Sequence, residues 1–182
     1  MTTDFPQSSS DSVRFQVDSS PIVEVSSAAL SRIDALAQAS KEHETGGILV
    51  GFNVGRNITI LEASDAGPKA QHSPIRFQRD TEYCRQFLAQ SFAQNRSDYV
   101  GEWHSHVAAP GRLSLGDLGT VARIFIDPDY DFVSFVLLLA VVRKRDSQLL
   151  VYVAERDKAQ CNRLQITLLH RGRFPEKGSP AI

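Results

Sequence analysis

Between Phe132 and Val142 the chain runs for eleven residues with Ser134 as the only polar one. A strand with one face in water alternates apolar and polar residues, so a run that is apolar at every position needs cover on both faces. At this length it reads as a central strand, since a helix needs about 20 apolar residues to cross a bilayer. The chain is therefore expected to build a sheet with helices packed on its two faces. Its 182 residues, 42% hydrophobic and 23% charged, suit one globular domain.

The remaining signals fill in that α/β reading. Val13, Phe15 and Val17 alternate with polar residues, and Ile22–Val25 is a second short strand. Ser26 or Ser27 offers an N-cap to a helix reaching about Ser40, with Ala29, Ile33, Leu36 and Ala37 on one face. Ile48–Phe52 and Ile58–Ala63 form a hairpin about a turn at Asn53–Asn57. A strand is expected near Ile75–Phe77. Asp80 or Thr81 then caps a helix that buries Tyr83, Cys84, Phe87, Leu88, Ser91 and Phe92. Tyr99–His106 reads as a strand, Leu115–Ile126 as a helix, and Leu149–Ala154 as the neighbour of the apolar run across a turn at Lys144–Ser147. Leu164–Leu169 fits either strand or helix. Residues 1–12 and 173–182 read as disordered tails around a domain at 13–172.

Charge and cysteine usage narrow the function classes. The net charge is −1, which gives no basic footprint for nucleic acid. The two cysteines, Cys84 and Cys161, are too few for a disulfide framework and read as small hydrophobes in a reducing compartment. The first residues carry neither a basic segment nor an apolar core, so no secretory signal is read and a cytoplasmic location without membrane contact is expected.

Chemistry concentrates in Gly101-Glu-Trp-His-Ser-His-Val-Ala-Ala-Pro-Gly-Arg-Leu-Ser-Leu-Gly-Asp117. His104 and His106, two apart on a strand, point to one face. Asp117 opens a helix that a short loop can fold back onto the strand end. Two imidazoles and a carboxylate leave a fourth position for water, the pattern of a catalytic rather than a structural zinc. Hydrolysis also needs a group to take and return a proton, and Glu42, Glu44 and Glu102 are the carboxylates in play. Glu102 shares the face of His104; Glu44 lies where a loop enters the sheet. Position alone leaves the choice open. Ser114 and Asp117 also spell a helix capping box. Trp103 falls on the opposite face, and Gly46-Gly47 suggests a close backbone approach or a positive φ. His43, His72 and His170 fit no ligand spacing and read as surface residues. A zinc nucleobase deaminase is excluded, because neither His-x-Glu nor Pro-Cys-x-x-Cys is present.

Glu44-Thr-Gly-Gly-Ile-Leu-Val-Gly51, Trp-His-Ser-His and Ser-Leu-Gly-Asp117 together resemble the JAB1/MPN/Mov34 (JAMM) metalloprotease family, in its prokaryotic JAB branch. The family pattern is an upstream Glu, His-x-His-Pro, seven residues to Ser, and Ser-x-x-Asp; Val107 to Leu113 supplies the seven. Phe77-Gln-Arg-Asp80 also looks like bacterial members. Val107 replaces the usual proline, which touches the path of the loop rather than a ligand. The resemblance implies an MPN/JAB-like single domain with a curved mixed sheet, antiparallel hairpins and helices on its faces. It implies one Zn²⁺ held by His104, His106 and Asp117, Glu44 as general base and acid, and Ser114 as oxyanion donor. It further implies cleavage after the C-terminal glycine of a ubiquitin-like protein or its conjugate, whose tail binds extended. E1- and E2-like partners in conjugation or antiphage defence, sulfur-carrier processing, and a non-catalytic scaffold are the settings to be separated.

Overall fold

The computed structural model describes residues 11–107, 111–143, 147–157 and 163–175. Its elements in chain order are β1 (Ser12–Phe15), β2 (Val23–Ser26), α1 (Ser27–Ala39), β3 (Gly46–Val54), β4 (Asn57–Ala63), β5 (Gln71–Ser73), β6 (Arg76–Gln78), α2 (Thr81–Asn95), β7 (Asp98–His106), α3 (Leu115–Ile126), β8 (Ser134–Val142), β9 (Ser147–Asp157) and β10 (Arg163–Arg173). Eight strands form one mixed sheet in the order β1-β2-β4-β3-β7-β8-β9-β10, and β5 and β6 form a separate two-stranded hairpin. Within the large sheet β2–β4 and β7–β8 are parallel, while the other neighbours are antiparallel.

The apolar run becomes β8, near the middle of that sheet and buried at all nine positions. Its residues divide by parity. Val136, Leu138, Ala140 and Val142 join α1 residues Ala29, Leu30, Ile33 and Ala37 in one core cluster. Phe135, Leu137, Leu139 and Val141 join Cys84 of α2 and Val121 and Phe125 of α3 in the other. One helix therefore covers one face and two cover the opposite face, which is why no position of β8 meets water.

Local signals act where the side-chain chemistry demands. Ser26 caps α1 by accepting from the Ala29 N–H, and Asp80 caps α2 by accepting from that of Tyr83. Gly46 and Gly47 serve close approach: a Cβ on Gly46 would lie 2.4 Å from the Trp103 carbonyl oxygen, and one on Gly47 2.4 Å from that of Ser64. Neither glycine has a positive φ.

Several expectations need adjustment. β1 starts at Ser12 and β10 ends at Arg173, so the sheet takes one residue from each expected tail; residues 1–10 and 176–182 lie outside the described residues. β5 was not foreseen, and Leu164–Leu169 belongs to a strand. Phe92 was expected in the core but is 46% exposed, because the inner face of α2 is taken by Cys84 and Ser91. His170 is half-buried against the Phe15 ring rather than on the surface, and burial lowers its pKa. Cys84 is buried and free, whereas Cys161 and the turn residues 144–146 lie outside the described residues.

Candidate metal centre

The site grows from the C-terminal end of β7. Alternation along that strand sends Trp103 to the α1 side, where it is 1% exposed and its Nε1–H donates to the Ser64 carbonyl at 2.8 Å. His104 and His106 take the opposite face, and their Nε2 atoms stand 3.2 Å apart. The parallel crossover from β7 to β8 carries α3, whose first turn brings Asp117 to both rings. His104 Nε2 lies 3.2 Å from Asp117 Oδ1, and His106 Nε2 lies 3.6 Å from Oδ2.

These separations suit a cation. Donors at about 2.0–2.1 Å from a tetrahedral zinc ion lie about 3.3–3.4 Å from one another, and the three observed spacings bracket that value. As protonated rings, His104 and His106 can donate to Asp117 or to one another; as bare nitrogens they offer, with the carboxylate, three ligand atoms to one cation. Among the described residues, His104, His106 and Asp117 are the group of His, Cys, Asp or Glu side chains able to hold a metal ion.

Asp117 is fixed before any ion arrives. Ser114 caps α3: its Oγ accepts from the Asp117 N–H at 3.2 Å, and its own N–H donates to Asp117 Oδ2 at 2.6 Å. The capping box is complete and orients Oδ1 toward His104. Burial pushes the Asp117 carboxyl up, but hydrogen bonds from His104 and His106, the charge of His104 and the Ser114 N–H together hold it well below the ordinary range. The Ser114 hydroxyl accepts in the cap and keeps its proton to donate elsewhere.

Glu44 reaches the same place from β3. Gly46 sits opposite His104 in the antiparallel β3–β7 ladder, so the residues just before β3 flank the histidines. Glu44 is 7% exposed, and burial raises its pKa, opposed by His106 and His104 and reinforced by Asp117. A cleft of about 770 Å³ gathers Glu44, His104, His106, Ser114 and Asp117, walled by Ile75–Arg79 on one side and by Gly116, Thr120 and Arg123 of α3 on the other. All five residues singled out in the sequence thus line one cleft.

The rival carboxylates separate by their partners. Glu102 also lines the cleft, but the Tyr99 hydroxyl donates to its Oε1 at 2.6 Å and the Arg79 guanidinium pairs with the same oxygen. Burial together with this carboxylate pushes the Tyr99 hydroxyl well above its ordinary pKa. Glu102 is already engaged by Tyr99 and Arg79, and Glu42 is exposed outside the cleft. Glu44 is the acid left facing the cluster. Sequence reading gave no part to Arg79, Tyr99, Ser105 or His72. His72 is exposed as expected, yet its Nδ1 lies 2.9 Å from the Glu44 carbonyl oxygen, a contact across 28 residues that no periodicity announces.

Comparison with known proteins adds a family match. A family profile described as prokaryotic homologs of the JAB domain matches residues 26–153. The chain is similar to the solution structure of a protein from Desulfitobacterium hafniense, at 21% identity and a TM-score of 0.50, covering 76% of this chain and 81% of that one. A solution structure from Salinibacter ruber matches at 20% identity and a TM-score of 0.45, covering 83% and 90%. The first likeness speaks to fold alone. No curated protein sequence matches.

Proposed function

The chain belongs to the prokaryotic homologs of the JAB domain, and from that premise we propose that it is a zinc-dependent hydrolase of peptide or isopeptide bonds. The observation that carries the reading is the convergence of His104, His106 and Asp117 within 4.8 Å, with Glu44 lining the same cleft. Bound zinc supplies Lewis acidity and brings the pKa of a water ligand to about 7.

The chain's own residues supply the rest. Glu44 removes a proton from the attacking water and returns it to the leaving amine, so it must be ionised at the first step and protonated at the second. Burial raises its pKa, which favours the protonated form that the second step needs. Ser114 donates its hydroxyl proton to the oxygen that gains charge at the carbonyl, while its cap keeps Asp117 in place. The cleft between the β5–β6 hairpin and α3 takes the substrate as an extended tail. On the family resemblance, we assign as substrate a ubiquitin-like protein, or its conjugate, cut after the C-terminal glycine. That substrate places the enzyme in a conjugation, defence or sulfur-carrier pathway.

The test is a Gly-Gly-linked fusion incubated with purified protein. Cleavage that requires zinc and is lost in Glu44→Ala is the expected result. Undiminished cleavage by Glu44→Ala overturns the assignment. Protein that holds under about one tenth of an equivalent of zinc after zinc-replete expression returns the fold to a scaffold role.

A further inference from the structure

We infer that His72 is a positioning residue for Glu44, acting through the main chain from the β5–β6 hairpin. Its catalytic consequence rests on the hydrolase reading above; its geometry does not.

β3 begins at Gly46, so the sheet ladder does not hold the backbone of Glu44 itself. Both main-chain groups of this buried residue go instead to β5. The Glu44 N–H donates to the Ser73 carbonyl at 2.8 Å, and the Glu44 carbonyl accepts from Nδ1–H of His72 at 2.9 Å. A carbonyl oxygen only accepts, so the contact fixes the proton on Nδ1 and leaves Nε2 without one when the ring is neutral. The imidazole is held in turn by the Phe77 ring, 5.6 Å between centroids, and Phe77 fills the space over Gly46, where a Cβ would lie 2.8 Å from its Cε1.

On the other side, Thr45 is tied to the strand carrying the histidines by two hydrogen bonds with Ser105. Glu44 is thus gripped between the hairpin and β7, and His72 is the side chain in that grip that acts on Glu44 directly. Deleting its N–H frees one end of the Glu44 peptide. A displacement of about 1 Å at a reacting group can cost up to about a hundred-fold in rate. The effect belongs to kcat, because the metal ligands and the cleft walls stay in place.

The experiment uses the zinc-loaded full chain as wild type, His72→Phe and His72→Asn. Phe keeps a ring against Phe77 and removes the donor; Asn returns an N–H close to the Nδ1 position. Three readouts are taken: the His72 tautomer from ring nitrogen shifts, amide hydrogen exchange at Glu44 and Thr45, and kcat and KM on the Gly-Gly fusion. The expected results are an Nδ1-protonated ring in wild type, faster exchange at both amides in His72→Phe, and a kcat lowered about ten-fold with KM and zinc content unchanged, largely restored in His72→Asn. An Nε2-protonated ring, or a His72→Phe protein with wild-type exchange and kcat, overturns the inference. Equal impairment in Phe and Asn overturns it too. If the wild type cleaves nothing, the hydrolase reading fails, while the tautomer and exchange data still decide the role of His72.

Discussion

Thr45 and Ser105 exchange two hydrogen bonds: the Thr45 N–H donates to Ser105 Oγ at 3.0 Å, and the Ser105 N–H donates to the Thr45 carbonyl at 2.7 Å. Ser105 lies between the two histidines and Thr45 follows Glu44, so this buried exchange sets the distance from Glu44 to His104 and His106. Ser105→Ala leaves the Thr45 N–H buried without its partner, at an expected cost of about 1–3 kcal/mol in chemical denaturation. A cost below about 0.5 kcal/mol would show that the pin contributes little.

Asp117→Ala is expected to abolish tight zinc binding. On the proposed reading, zinc stabilises the wild type through its affinity for the folded state, and a chelator removes that gain. Thermal melts with and without chelator should differ for wild type and coincide for Asp117→Ala. A variant that keeps one equivalent of zinc and the full shift would remove Asp117 from the ligand set.

Substitution can separate the cap that Ser114 makes from the oxyanion role proposed for it. Ala at an N-cap costs about 0.5–2 kcal/mol, whereas Gly costs a few tenths. Ser114→Gly should therefore melt near wild type yet lose about 10²–10³ in kcat, the loss typical of removing one oxyanion donor. Wild-type kcat in Ser114→Gly would confine the hydroxyl to capping.

The two acids of the site should give opposite pH slopes in metal-free protein. Glu44 is raised, first by burial, so the fold favours its neutral form. Its contribution is present below its unfolded value, about 4.3, and is lost as pH rises through the folded one. Asp117 is lowered, so its contribution is present above about 3.9 and is lost as pH falls through its folded value. In urea unfolding of chelated protein, Glu44→Gln should gain on wild type with rising pH, and Asp117→Asn should lose. Slopes of the same sign would contradict this electrostatic description.

Gly46→Ala tests the packing under the hairpin. The added methyl meets the Trp103 carbonyl oxygen and the Phe77 ring together, and backbone cannot yield cheaply. A loss of about 1–3 kcal/mol is expected from overpacking. Equal stability would mean that β3 and β7 separate more easily than their ladder suggests.

Much of this could be read from the chain because the signals were local. The parity of β8, the caps Ser26, Asp80 and Ser114, and the two-residue spacing of His104 and His106 each act within a few residues. What stayed hidden was long-range. β5 is three residues long with no apolar alternation, and its worth lies in backbone contacts with Glu44. The pairing of Glu102 with Arg79 and Tyr99 depends on how α2 enters the sheet, so the choice between Glu44 and Glu102 needed the family resemblance first and the geometry afterwards. Ser91 and Phe92 both fell on the inward side of a helical projection; Ser91 is buried there, whereas Phe92 lies at the edge of that face and is exposed.

β8 carries a further consequence before the protein is folded. Its nine residues hold no charge and no proline and are apolar except for Ser134, the composition that self-associates when exposed. Asp131 and Arg143, both solvent-exposed, bracket it as gatekeepers. Until α1 and α3 close over it, this strand is adhesive, and refolding yield should fall steeply as protein concentration rises.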